Sequence, residues 1–256
     1  MNSPGSRHAD RRGTDMKEWL RIGTAGWQLP KTFRELFQAE GSQLEKYSGR
    51  FNAIEINSTF YRLPRAATVE RWAAAVPADF RFAVKLPKRI THEAQLRNVG
   101  AAVHQFADVM EAFGAHAGPV LVQMPPRLAF SSVAEDFLHQ LHEQGFPSVV
   151  VEPRHSSWFT ADVNAMLLRL DIARVAADPP RADGDGIPGG RGTLAYYRWH
   201  GQPRVYWSAY DDATLHNLAT TIRSRAANAK EVWVIFDNTA FGAATGNALT
   251  LLGSFP

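Results

Sequence analysis

Apolar residues in this chain come in short runs, and most of the runs close on a charged or amide side chain. Ile22–Trp27 reads IGTAGW, Ala53–Asn57 AIEIN, Phe82–Lys85 FAVK and Val120–Gln123 VLVQ. Further on, Val149–Glu152 reads VVVE, Ala173–Asp178 ARVAAD, Tyr197–His200 YRWH and Val232–Asp237 VWVIFD. Runs of about four to eight β-branched and aromatic residues have the character of buried parallel strands. A polar residue at the end of such a strand reaches the carboxyl edge of the sheet, where α/β proteins bind their ligands.

Helical patterns fill most gaps between the runs. Phe33, Leu36, Phe37 and Leu44 form a stripe over residues 32–47, with Gly41 and Ser42 placed to break it in two. Thr68 is expected to cap a helix reaching Val76; Ser131 and Ser132 open one reaching Gln144. Further helices are predicted up to Gly114, over 160–170, from Asp211 to Asn228 and over 244–252. The alternation fails between Asp178 and Gly192, a stretch rich in Gly, Pro and Asp with no helical stripe and the best candidate for a mobile lid. Alternating strands and helices predict a parallel α/β architecture. Eight strands in 256 residues favour a single TIM-like (β/α)8 barrel with an irregular or missing sixth helix. The expected division is a disordered basic N-terminal extension, residues 1–19, followed by one β/α-barrel domain, residues 20–256.

The chain has no cysteine, which excludes disulfides, thiolate metal sites and cysteine nucleophiles and fits a cytoplasmic protein. Formal charge is +3, and Arg7, Arg11, Arg12, Lys17 and Arg21 cluster at the start. Such an arm can touch nucleic acid, but the favoured reading is a disordered extension. No apolar run approaches the roughly 18 residues of a membrane span. GxGxxG and GxxxxGKS motifs are absent, so nucleotide-binding Rossmann and P-loop readings lose their main support.

Successive strand residues face opposite ways. One register sends a ring of polar residues into the barrel mouth: Glu55, Asn57, Lys85, Gln123, Glu152, Asp178, Arg198, His200 and Asp237. Tyr61, Arg62, His92, Arg154, His155, Trp158 and Asn238 can join from the loops, with Trp27 and Tyr210 as further walls.

These segments resemble the YecE-like proteins, known as domain of unknown function 72. The likeness is carried by GTAGW from Gly23, FNAIEINSTFYRLP from Phe51, FRFAVKLPKRITH from Phe80 and LVQMPP from Leu121. EPRHSSWF from Glu152, YRWHG from Tyr197, FDNT from Phe236 and GNA from Gly246 extend it to roughly residues 22–252. The resemblance implies a β/α barrel and no particular reaction. Where the family often has paired Asn after the last strand, this chain has Asp237 before Asn238, which adds a negative charge.

Lys85 at a strand end suits a general base, a Schiff-base nucleophile or a phosphate clamp; the plainer alternative is an ion pair with Glu55 or Glu152. Glu152, Arg154 and His155 suit acid–base chemistry on an anionic substrate, unless Arg154 merely ties its loop to Asp178. The leading expectation is an enzyme for a small polar, anionic (phosphate or carboxylate) substrate, with Lys85 and Glu152 as the acid–base pair. His155 and His200 would shuttle protons, and Arg154 and Arg198 would hold the anion. No cofactor is expected. A divalent metal bound by Glu55, Glu152, Asp178, His200 and Asp237 defines the alternative of a metal-dependent phosphoesterase or nuclease. Nearby Lys and Arg oppose that ion, and no HExxH spacing supports it. A non-catalytic nucleic-acid- or ligand-binding module is the third reading.

Overall fold

The computed structural model describes residues 19–255, so most of the expected basic extension lies outside the described residues. Trp19, assigned to that extension, packs edge-on against Phe255 and accepts a bond from the Val232 amide.

The strands are β1 (Leu20–Thr24), β2 (Ala53–Ile56), β3 (Arg81–Lys85), β4 (Ala117–Gln123), β5 (Val149–Glu152), β6 (Ile172–Arg174), β7 (Ala176–Asp178), β8 (Gly189–Gly190), β9 (Leu194–Trp199) and β10 (Glu231–Phe236). They form two sheets, ordered β2-β3-β4-β5-β6-β8 and β1-β10-β9-β7. Every pairing is parallel except that of β8 with β6. The fold is therefore mixed α/β, and one unbroken ladder does not run round it.

The sheets meet at two joins. At one, a single predicted strand bends at Val175, so that β6 pairs with β5 while β7 pairs with β9. At the other, side chains replace most of the ladder between β1 and β2. Asn52 accepts from the Ile22 amide and donates to the Leu20 carbonyl. The Tyr47 hydroxyl accepts from the Thr24 amide at 2.8 Å and donates to the Ala53 carbonyl at 3.1 Å. Backbone bonding resumes where Gly26 N–H donates to Glu55 O. Gly23 makes this approach possible, because a β-carbon there would lie 2.1 Å from the Ala53 carbonyl oxygen. Tyr47→Phe leaves a buried amide and a buried carbonyl short of a partner. It should cost about 1–3 kcal/mol, read as a lowered urea midpoint; an unchanged midpoint would show that the join does not depend on the hydroxyl.

Helices α1 (Gln43–Ser48), α2 (Ala66–Ala74), α3 (Gly100–Glu111), α4 (Ser132–Glu143), α5 (Ala161–Arg169), α6 (Asp212–Ala226) and α7 (Ala243–Leu252) cover the outer faces. The first stripe does break, into a 3-10 segment at Lys31–Leu36 and α1, whose Ser42 and Glu45 form a capping box. Thr160 and Asp211 cap α5 and α6 through their side chains. Arg65, not Thr68, precedes α2, which ends at Ala74. Between β7 and β9 there is no helix; β8 and tight turns take its place. The stretch read as a lid is stitched down, with Ala177 N–H donating to Asp185 O and β8 paired to β6.

Two apolar clusters result. The larger lies between strands and helices, with Ile54, Val84, Val122, Val151 and Val234 among its members. The smaller lies between the sheets: Ala53, Ala83, Leu121, Val150, Ala173, Val175, Leu194, Tyr196, Trp233 and Ile235. Small residues on one sheet face Tyr196 and Trp233 on the other, whose rings stack 5.8 Å apart. That inner layer sets which residues reach the carboxyl edge.

Candidate active site

One step along each strand beyond the inner apolar layer stand Glu55, Lys85, Gln123, Glu152, Arg198 and Asp237. His200 follows two residues after Arg198. Arg198 is wholly buried and central. Its Nε and Nη2 grip both oxygens of Glu55 at 2.6–3.0 Å, Nη1 donates to Glu152 Oε2 at 2.9 Å, and Nη2 donates to Asp237 Oδ2 at 2.9 Å. Tyr196, two residues earlier on the same face, donates its hydroxyl to Glu55 Oε2. Tyr196 is not among the expected site residues, though the period of two that selects Arg198 also selects it.

Glu152 is saturated. Oε1 takes bonds from His200 Nε2 and Arg154 Nη2, and Oε2 from Arg198 and Gln123. Burial opposes its charge, but Arg198, His200 and Arg154 outweigh it and hold the carboxyl well below its usual range. A carboxylate with all four lone-pair sites in use is a poor proton acceptor. The expected pairing of Glu152 with Lys85 as acid and base therefore does not fit this geometry.

Both ring nitrogens of His200 face carboxylate oxygens, Nδ1 to Asp237 Oδ2 at 3.0 Å and Nε2 to Glu152 Oε1 at 2.9 Å. A neutral imidazole can donate only once, so the imidazolium satisfies both contacts. Burial pulls the other way, but Glu152 and the two hydrogen bonds prevail and raise its pKa. A histidine raised on folding stabilises fully below about pH 6.5, and that stability fades as pH climbs through the folded value. Between pH 6.5 and 8 the free energy of unfolding should fall in the native protein and stay flatter in His200→Gln. Asp185, raised to about 6 by burial, finishes titrating at the foot of this window in both proteins, and Lys85 enters only at its top. Equal slopes in the two proteins would refute the charged histidine.

Asp237 keeps one oxygen nearer the edge, where Asn57 Nδ2 reaches Oδ1 at 3.3 Å and leaves its own Oδ1 unpartnered. Burial works against the Asp237 charge, but Arg198, His200 and Lys85 lower its pKa.

Lys85 differs from all these groups. It is 8% exposed, yet it has no ion-pair partner within 4 Å among the described residues. Its ammonium sits 4.2 Å from the centre of the Phe60 ring. Burial, joined by the Arg198 charge and only partly offset by Glu152, Glu55 and Asp237, pushes its pKa down to about 8. The ion pair expected for it belongs to Arg198 instead. Thr59 explains how Phe60 arrives there: its buried hydroxyl lies 2.9 Å from the Ile56 carbonyl and 2.7 Å from the Lys85 carbonyl, binding the short turn after β2 to the end of β3. His92 stacks edge-on to Phe60, and burial with the charges of Lys85 and Arg154 lowers its pKa.

Of the expected site residues, Asp178, His155, Trp158, Asn238, Tyr61 and Arg62 lie outside the network, and Arg154 joins it by another partner than the one expected. Asp178 points away because Ala173 and Val175 face inward, and it receives Tyr210 and Gln202. Arg154 binds Glu152 rather than Asp178. His155 caps the turn after β5 through Ser157. Trp158 is buried against Phe130, with its indole N–H on the Leu128 carbonyl. Asn238 ties the end of β10 to Ser208 and Asn247. Tyr61 is 77% exposed and Arg62 is exposed. A cavity of about 650 Å3 opens beside Asn57 and Ser58, walled by Trp27, Thr239 and Phe241.

The donor set suits a metal poorly. The oxygens of Glu55 and Glu152 and Oδ2 of Asp237 are occupied by guanidinium, imidazole, phenol or amide protons. No group of three or more His, Asp and Glu is placed to hold an ion among the described residues.

Inner-layer small residues below a saturated polar network at the strand ends define an α/β protein with its polar centre on the carboxyl edge. The chain belongs to the family described as protein of unknown function DUF72, whose sequence profile matches residues 21–255. It is 36% identical over 106 residues to the UPF0759 protein YecE of Escherichia coli K12, a match spanning 41% of this chain and only 38% of YecE. The UPF0759 protein YunF of Bacillus subtilis is 22% identical over 266 residues, covering 91% of this chain and 93% of YunF. Crystal structures of two DUF72 family proteins share the fold. TM1631 from Thermotoga maritima superposes with a TM-score of 0.75 at 24% identity, covering 91% of this chain and 97% of that one. EF0366 from Enterococcus faecalis gives 0.75 at 20%, covering 92% and 95%. No helix among the described residues is long and apolar enough to cross a membrane.

Proposed function

We propose that the two sheets act as one TIM-like barrel and that the protein is an enzyme. It takes a proton from a small anionic substrate at the carboxyl edge, with Lys85 as the base. The observation that carries this is the contrast within one cluster: Glu55, Glu152, Asp237, Arg198 and His200 satisfy one another, while Lys85 is buried and has no ion-pair partner among the described residues. An amine with a pKa of about 8 is partly neutral at physiological pH and accepts a proton readily. The positive charges of Arg154 and His92's neighbourhood favour a phosphate or carboxylate on the substrate, and the cavity beside Asn57 has room for its remainder. In this reading Arg198 and Glu152 position and polarise rather than react, and His200 is a fixed cation. The absence of cysteine fits action in the cytoplasm.

The test is a turnover screen over small phosphate esters and carboxylates. An active compound should show kcat/KM rising with pH to a plateau above about 8, with activity surviving chelator treatment. A profile falling through that range would exclude Lys85 as the base. Activity lost to chelation and restored by a divalent ion would favour the phosphoesterase reading instead.

A further inference from the structure

The flank left bare by the missing sixth helix holds a second cluster of cations, independent of the carboxyl-edge network. Arg174 lies in β6 between Ala173 and Val175; both neighbours face the inner cluster, so Arg174 faces outward. It is 8% exposed. Its Nε is buried without a partner, and among the described residues its guanidinium has neither an ion pair nor a hydrogen bond. The Phe159 ring centre lies 5.0 Å from the guanidinium carbon. On another side β8 presses close: a β-carbon on Gly189 would come within 2.7 Å of that carbon and of Nη2. Asn164 holds β8 in place by accepting from Gly190 N–H at 2.8 Å.

Arg174 opens into a cavity of about 440 Å3 that Arg191 and Arg225 also line, and among the described residues no acidic side chain forms its wall. Arg191 is steadied by Asp171 and Thr193. Thr160 and Ala161 bring the start of α5 to the same cavity, with the Thr160 hydroxyl already accepting from the Val163 amide. A buried guanidinium ordinarily has an anion against it, since its desolvation is otherwise uncompensated. Burial lowers the Arg174 pKa, with Asp185 offsetting it only in part.

We infer that this flank cavity is a binding site for a phosphoryl group, gripped by Arg174 with Arg191 and Arg225. The planar fork of arginine matches phosphate oxygens, and the volume admits a ligand of nucleotide size.

Titration calorimetry and 31P line broadening with inorganic phosphate and with adenosine monophosphate test it, on native protein, Arg174→Met, Arg225→Met and Lys85→Met. Expected is a site weakened by about tenfold or more in Arg174→Met and less in Arg225→Met, but kept in Lys85→Met. Circular dichroism should show that Arg174→Met is folded; Gly189→Ala, which crowds the guanidinium, gives a second route to the same loss. Tighter binding of the nucleotide than of phosphate identifies a larger ligand; equal binding identifies the free ion, and both support the site. Binding unaffected by Arg174→Met, binding lost only in Lys85→Met, or no binding of either probe would overturn it.

Discussion

Arg198→Met lowers the thermal midpoint at pH 7 by on the order of 10 °C. The guanidinium is wholly buried and touches three carboxylates, so its removal leaves Glu55, Glu152 and Asp237 facing one another with His200, Arg154, the more distant Lys85 and neutral donors for compensation. Breaking a buried ion pair from one side costs about 3–5 kcal/mol, and a chain of this size loses roughly 2–4 °C per kcal/mol. The deficit also depends on pH. Without Arg198 the crowded carboxyls titrate at raised values, so the folded variant takes up protons before the unfolded chain does and gains stability on acidification. Unfolding scans of both proteins from pH 4.5 to 7.5 should therefore converge toward the acid end. A gap of constant size would mean that Arg198 contributes packing and little charge. Glu55→Gln in the same background should recover part of the loss, since it removes one unpaired charge.

Lys85→Met should have the opposite signature, abolishing turnover while raising stability. A lysine lowered from its ordinary value to about 8 has a charged form disfavoured by about 3 kcal/mol in the fold. The unfolded chain holds its proton longer, so native stability rises as pH passes from about 8 to 10.5, and that rise should vanish in the variant. At neutral pH methionine fills a similar volume against Phe60 with no charge to desolvate, and the midpoint should move up by several degrees. Acylation mapped by mass spectrometry offers a reading that needs no substrate: the rate at Lys85 should inflect near pH 8. A variant that is both less stable and equally active would remove Lys85 from the chemistry.

Much of the site was legible because strands alternate. Glu55, Lys85, Gln123, Glu152, Arg198 and Asp237 each stand two residues beyond a small or apolar inward residue, and that spacing is visible in the chain. The run Ala173–Asp178 misleads because a register that turns Asp178 inward sends Ala173 and Val175 the other way. The interior instead takes Ala173 and Val175, which leave room for Tyr196 and Trp233. His155, Trp158 and Asn238 misled for another reason: beyond the last strand residue the chain turns, and the alternation carries no information about direction. Nor did the pattern say which charges would pair. Lys85 and Arg198 look alike as cations at strand ends, but the five donors of a planar guanidinium can grip Glu55 at both oxygens and still reach Glu152 and Asp237, which three ammonium protons cannot match. The joins between sheets were hidden too, since Tyr47 and Asn52 look like ordinary residues flanking a strand.

Those two side chains give the molecule an unusual kind of fastening. Amide ladders are indifferent to sequence, but here the contact of β1 with β2 is written largely in a phenol and a carboxamide. Such a clasp can be loosened by one codon without disturbing either strand. Deuterium should then enter the Ile22 and Thr24 amides of Tyr47→Phe sooner than those of β3 or β4, marking the place where the two sheets come apart.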